Sequence, residues 1–262
     1  MTVLVAVLSG ILGLAIGSFL TVVVHRVPRG ESVVRPRSRC PGCGQLVGAR
    51  DNVPVLSWLL LRGRCRGCGE PVSVRYPLTE AATVALFAAT AVRLRHEPHG
   101  LAVLASYLVL DAAILALALI DLETMRLPDI LTLPLYATGM LLLVLPSALV
   151  GDSHASVRAL EGMAGVYVVY FLLCYATAGR GLGFGDVKLS GPLGLHLAWL
   201  GWRDLAVGLL ATHLLAGVVA VGLLGRGRAG RKTRLPFGPF LVAGTVVGML
   251  AGGPLGRLWL GG

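Results

Sequence analysis

Eight stretches of this chain are apolar for close to the length of a membrane helix, at about 3–25, 77–95, 101–120, 130–150, 159–178, 187–202, 205–224 and 236–256. A helix needs roughly 20 such residues to cross the hydrocarbon core. Inside that core every backbone polar group must be satisfied internally, so runs of this length are helices. The run at 187–202 is the weakest, because Gly191, Pro192, Gly194 and His196 interrupt it. The expected fold is therefore an all-α polytopic membrane protein of about eight spans. Composition agrees: the 262 residues are 55% hydrophobic and only 14% charged. A soluble domain is usually about 25% charged. The first run has no basic leader and ends in Val and His rather than small residues, so it reads as a retained span and not a cleavable signal.

The net charge of +10 could point to nucleic acid, but its distribution points to membrane topology. Ten arginines lie between Arg26 and Tyr76, against Glu31, Asp51 and Glu70. A second basic loop holds Arg226, Arg228, Arg231, Lys232 and Arg234 without an acid. The positive-inside rule places both in the cytoplasm. An even number of spans must then separate them, and including the weak run gives six. On this count both termini lie outside, and the loops around 121–129 and 179–187 are cytoplasmic. Aromatics are only 6%, with no basic and aromatic surface for nucleic acid. The expected organisation is a first span at 1–26, a cytoplasmic insert at 27–76 and a membrane-embedded body at 77–262.

The insert carries two C-x-x-C knuckles, Cys40/Cys43 and Cys65/Cys68, each followed by glycine, Gly44 and Gly69. Each knuckle presents two thiolates from one tight turn, and four thiolates close a tetrahedral zinc site with no open position. Such a site folds a segment too small to have its own core. Disulfides are the alternative, and a cytoplasmic location disfavours them. Cys174, inside an apolar run, reads as a buried packing residue.

Two carboxylates stand at span ends on the same side. Asp121 closes the third span and Asp186 opens the sixth, after Gly181, Gly183 and Gly185. Ionisable groups at membrane depth suggest function. If the two meet, they share a proton, and one acts as base on water while the other acts as acid toward a carbonyl. The glycines would let a substrate strand or water approach. A plain N-cap role suits Asp186 equally well. Asp121 has Arg126 or Lys188 as alternative partners, and Lys188 reads equally as the simple neutraliser of a nearby carboxylate. Asp129, after Pro128, reads as an N-cap. Asp111 lies within a span and has no assigned role. His25, His96, His99, His154, His196 and His213 share no ligand spacing, and Ser57, Ser106 and Ser190 have no base at a recognisable spacing. A proton-coupled transporter and a zinc-bearing adaptor are the rival readings. The first expects carboxylates at the midplane, and the second leaves both aspartate segments without purpose.

Taken together, the segments resemble the bacterial type IV prepilin leader peptidases. The run from Gly17 to Pro28 is similar to G-S-F-L-N-V-V-x-x-R-x-P. The insert from Pro36 through Trp58 to Glu80 is similar to the cysteine domain of that family. Asp121 to Asp129 is similar to D-L-x-x-x-x-L-P-D, and the stretch through Gly183, Gly185, Asp186 and Lys188 to G-x-G-D-x-K-L. Leu235 to Phe240 also matches. The resemblance implies that Asp121 and Asp186 are the catalytic pair. It implies a type IV prepilin or pseudopilin precursor as substrate, cut after a glycine at the cytoplasmic face of the inner membrane. It also implies S-adenosylmethionine-dependent methylation of the new N-terminus, linked to the insert. Thr21 departs from the usual Asn and offers a hydroxyl where an amide both donates and accepts. Glu80, Glu123 and Asp129 are expected to meet the basic leader.

Overall fold

The computed structural model describes residues 2–95, 100–179, 181–227 and 235–260. Arg228, Arg231, Lys232 and Arg234 of the second basic loop, with His96 and His99, lie outside the described residues. Among the described residues the regular structure is helical, with only two isolated β-bridges. The chain divides into two compact units, Met1–Val92 and Arg93–Gly262.

In the first unit, α1 (Thr2–Arg26) is a 25-residue helix, about 38 Å long. It packs through small residues against α3 (Arg75–Arg93). A Cβ on Gly13 would stand 2.9 Å from the Thr83 carbonyl oxygen, and one on Gly17 would stand 2.8 Å from the Glu80 Cα. Close backbone approach of this kind holds helices together where lipid removes the hydrophobic drive. Between these helices lie the cysteine knuckles and the short α2 (Leu56–Leu60).

The second unit opens with α4 (Gly100–Thr124). The apolar stretch from Asp129 to Leu149 is broken into α5 (Asp129–Thr132), α6 (Pro134–Gly139), a π turn at Met140–Val144 and α7 (Leu145–Leu149). Pro134 and Pro146 have no N–H for a regular ladder, which accounts for the interruptions. Then follow α8 (Ser153–Ala176), α9 (Phe184–Leu200), α10 (Trp202–Gly225) and α11 (Gly238–Leu260).

Among the described residues six helical stretches, not eight, are long and apolar enough to cross a membrane on their own. The other two expected spans are present as α3 and α9, with different character. Helix α3 carries Arg75, Glu80, Arg93 and three threonines. Helix α9 has 17 residues, 13 of them buried. It is enclosed by protein rather than facing lipid, so its sequence need not be continuously apolar. Its Gly194 backs onto the Gly162 carbonyl of α8, and Ala198 fills the space beside Gly162. On α11, Gly244, Gly248 and Gly252 recur every four residues along α10, opposite Thr212, Gly208 and Asp204.

Two side chains repair the breaks in α9. Pro192 leaves the Lys188 carbonyl without its helical donor, and the Tyr136 hydroxyl donates to it at 2.8 Å. Gly191 leaves room for that phenol. At the far end, the Arg158 guanidinium donates to the Ala198 and Trp199 carbonyls. These are among the four that a helix terminus leaves open.

Candidate active site and metal centre

The two knuckles repeat one another. Arg39 and Leu46 bridge across the first, and Arg64 and Pro71 across the second. The Cys40 N–H donates to Gln45 and the Gly44 N–H to Cys40, at 2.9 Å each. The Cys65 N–H donates to Glu70 at 2.8 Å and the Gly69 N–H to Cys65 at 3.0 Å. Gly44 and Gly69 take φ of +70° and +76°, a turn that glycine adopts without strain. The Cys40, Cys43, Cys65 and Cys68 sulfurs all lie within 4.8 Å of one another. Zinc–sulfur bonds of about 2.3 Å in a tetrahedron set sulfurs about 3.8 Å apart, so the four fit a closed structural ion.

Their acidity fits too. N–H donors from Cys68 and Gly67 pull Cys65 down to about 7. At Cys68 a hydrogen bond from Glu70 pulls the same way, but burial and the neighbouring sulfurs win and push it up to about 12. Four sulfurs this close hold their charge only with a cation among them. Arg66, inside the second knuckle, grips Asp51 through Nε (2.9 and 3.1 Å) and Nη2 (2.8 Å), which holds the Asp51 carboxyl below its ordinary value.

The second unit brings the aspartates together. Asp121, near the end of α4, and Asp186, in the first turn of α9, are both buried, at 5% and 7% exposure. They lie within Coulombic reach of each other. Each carboxylate accepts one backbone N–H. Asp121 Oδ2 takes that of Gly238 at 2.9 Å, and Asp186 Oδ2 that of Gly183 at 3.0 Å. Asp186 is therefore not the N-cap, which is Gly183; it is the third residue of α9, and its carboxylate reaches back to the cap N–H. Gly238 also permits the approach: a Cβ there would stand 2.8 Å from Asp121 Oδ2. Gly185 packs on Leu127, where a Cβ would come within 3.1 Å.

Asp129 is the first residue of α5 after the cap at Pro128, and it caps nothing. Its carboxylate takes the Lys188 ammonium at 2.7 and 2.8 Å, joining α5 to α9. Glu123 is exposed. Glu80 is buried, and its Oε2 accepts the Val55 N–H at 2.6 Å. Val55 has φ of +58°, which a β-branched residue rarely adopts, so Glu80 pins a strained turn of the insert. The Thr21 hydroxyl donates inward to the Ser18 carbonyl at 2.7 Å.

Three placements were not legible in the sequence. Ser106 and His196, ninety residues apart, meet at 3.0 Å. Both are fully buried, and His196 Nδ1 faces the Pro192 carbonyl at 2.8 Å, so the pair ties α4 to α9. Cys174 is half-buried rather than buried, since its stretch of α8 presents an open apolar face. Tyr170 is buried, and its hydroxyl meets no hydrogen-bond partner among the described residues.

Comparison with known proteins accords with this arrangement. The bacterial peptidase A24 N-terminal domain matches residues 11–94, and the type IV leader peptidase family matches residues 108–221. A protein of Aeromonas hydrophila described as a prepilin leader peptidase/N-methyltransferase is 37% identical, over 94% of this chain and 91% of its own. The chain belongs to the type IV leader peptidase family. A Pectobacterium carotovorum relative of the same description is 39% identical, over 93% of this chain and 92% of its own. One from Burkholderia pseudomallei is 39% identical, over 96% and 87%. No solved structure matches the chain. As a member of this family it is a multi-pass membrane peptidase. The two matched stretches fall one in each compact unit, and the second contains both Asp121 and Asp186.

Proposed function

We propose that this protein is an aspartic endopeptidase of the cytoplasmic membrane that removes the leader of type IV prepilins or pseudopilins, with Asp121 and Asp186 as its catalytic pair. One observation supports the assignment of the pair: two buried carboxylates from distant helices lie within Coulombic range of each other, each held by a backbone N–H. The mechanism follows from that geometry. One carboxylate, ionised, takes a proton from water as the oxygen attacks the scissile carbonyl. The other, protonated, donates to the carbonyl oxygen. The roles then exchange as the amine leaves. Burial excludes bulk water and strengthens both interactions. The N–H groups of Gly183 and Gly238 fix each carboxylate in one orientation, so no reorganisation is needed during the reaction.

The positive-inside rule supports a cytoplasmic face for the insert and for this site. The exposed acid Glu123, on the segment that follows Asp121, suits a basic leader, whereas Asp129 already holds Lys188. Glu80 serves the insert instead. Zinc, held by Cys40, Cys43, Cys65 and Cys68, would supply folding energy and no chemistry. Methylation by S-adenosylmethionine is proposed from the description of the relatives. Thr21 directs its hydroxyl proton into its own helix, so it offers a methyl donor only an acceptor.

The test is cleavage of a pilin precursor in membranes by Asp121→Asn and Asp186→Asn. Each should stop cleavage while the protein stays inserted; normal cutting by either would remove the pair from the mechanism. Glu123→Lys should slow basic-leader substrates and spare a neutral-leader one. Equal slowing of both would exclude leader recognition.

A further inference from the structure

The buried hydroxyls of the helical unit nearly all have visible work. Tyr107 donates to the His196 carbonyl at 2.6 Å, Tyr136 to that of Lys188 at 2.8 Å and Thr212 to that of Gly208 at 3.0 Å. Tyr170 is the exception. Its side chain is 1% exposed, and its hydroxyl oxygen is enclosed without a hydrogen-bond partner among the described residues. A hydroxyl at this depth that bonds to nothing is costly, because neither water nor lipid replaces the missing acceptor.

The position of Tyr170 gives that cost a purpose. Its ring packs against Phe237, with centroids 6.4 Å apart, and against His213 at 6.0 Å. Phe237 directly precedes Gly238, whose N–H holds Asp121. The phenol also lies within Coulombic reach of Asp186. It therefore lies within reach of the Asp186 charge and against the residue that precedes the Asp121 anchor, while its hydroxyl bonds to neither carboxylate. An acceptor that arrives only with substrate would complete it.

We propose that Tyr170 is a further catalytic residue, whose phenol donates a hydrogen bond to the scissile carbonyl oxygen as that oxygen gains negative charge. This rests on the reading of Asp121 and Asp186 as the reacting pair. The phenol keeps its proton throughout, and the carboxylates carry all proton transfer. Tyr170 adds a fixed donor where charge develops, which is the interaction that most lowers such barriers.

The experiment compares wild type, Tyr170→Phe, Asp121→Asn and Asp186→Asn as full-length protein in liposomes. It measures kcat and KM on a pilin precursor, together with the thermal midpoint. Tyr170→Phe removes one oxygen and keeps the ring. The expected result is a kcat lower by about 10²–10³-fold, a KM within about twofold and a midpoint unchanged or raised, because no existing bond is lost. A wild-type rate overturns the proposal. So does a lowered midpoint, which would mean the phenol already holds a structural partner. A raised KM with kcat retained also overturns it, since that marks a binding surface. If an Asn variant cleaves normally, the carboxylate pair has failed, and that result is separate from anything Tyr170→Phe shows.

Discussion

The cysteine insert and the aspartate site reach their geometry by opposite routes. In the insert, each knuckle is built within about six residues. Its turn is closed by its own N–H groups and its glycine, and the two knuckles are near copies. A metal held by the four sulfurs would then join two local structures that differ little from each other. In the helical unit nothing is local. Asp121 and Asp186 come from α4 and α9, and the N–H that orients Asp121 comes from α11, 117 residues later. That site exists only if glycine-lined helices pack closely enough to bring three distant elements together. One centre would be held by a ligand, the other by packing, and they should fail under different insults.

The largest separation of the two should come from the carboxylates. Asp121→Asn or Asp186→Asn should lower cleavage by ~10³-fold or more while zinc content, read by metal analysis, stays at one per chain. Loss of zinc in either variant would mean the centres are coupled. Next comes the metal. Cys68→Ser or chelation should remove structural zinc, whose binding supplies on the order of 10 kcal/mol to a domain of this kind. Limited proteolysis should then cut at the insert arginines and spare the helical unit. Fragmentation within α8 to α11 would show that the metal supports more than its own unit.

A third change attacks the packing. Gly248→Leu would place a side chain where even a Cβ stands 2.6 Å from the Asp204 carbonyl and 2.9 Å from the Gly208 Cα. Forcing α10 from α11 should cost about 1–3 kcal/mol of stability, read as a lowered thermal midpoint, and leave zinc bound. Smaller again, Tyr136→Phe orphans the Lys188 carbonyl beside Pro192 and should cost about 1–2 kcal/mol, with Asp186 displaced enough to slow cleavage. Smallest is Asp129→Asn. Its partner Lys188 is 2.7 Å away, but the carboxylate is 52% exposed, so solvent screening leaves a loss of about 0–1 kcal/mol.

The sequence by itself determined most of the local structure. Apolar length dictated helices, because a bilayer offers the backbone no other partner. Cysteine spacing and the glycines after each pair dictated the knuckles, because a turn of that size is decided within a few residues. Asp121 and Asp186 stood out because charge at the end of an apolar run is costly. Tertiary structure decided what spacing does not encode. It enclosed α9 in protein, which explains why its hydropathy was weak. It turned Leu235–Phe240 from an unexplained match into the anchor of Asp121. It placed Glu80 on Val55, moved Asp129 from a cap to an ion pair with Lys188 and left the Tyr170 hydroxyl unpartnered with its ring against Phe237. Each of these depends on which helix faces meet, and a contact between residues tens of positions apart leaves no periodic signal in either segment alone.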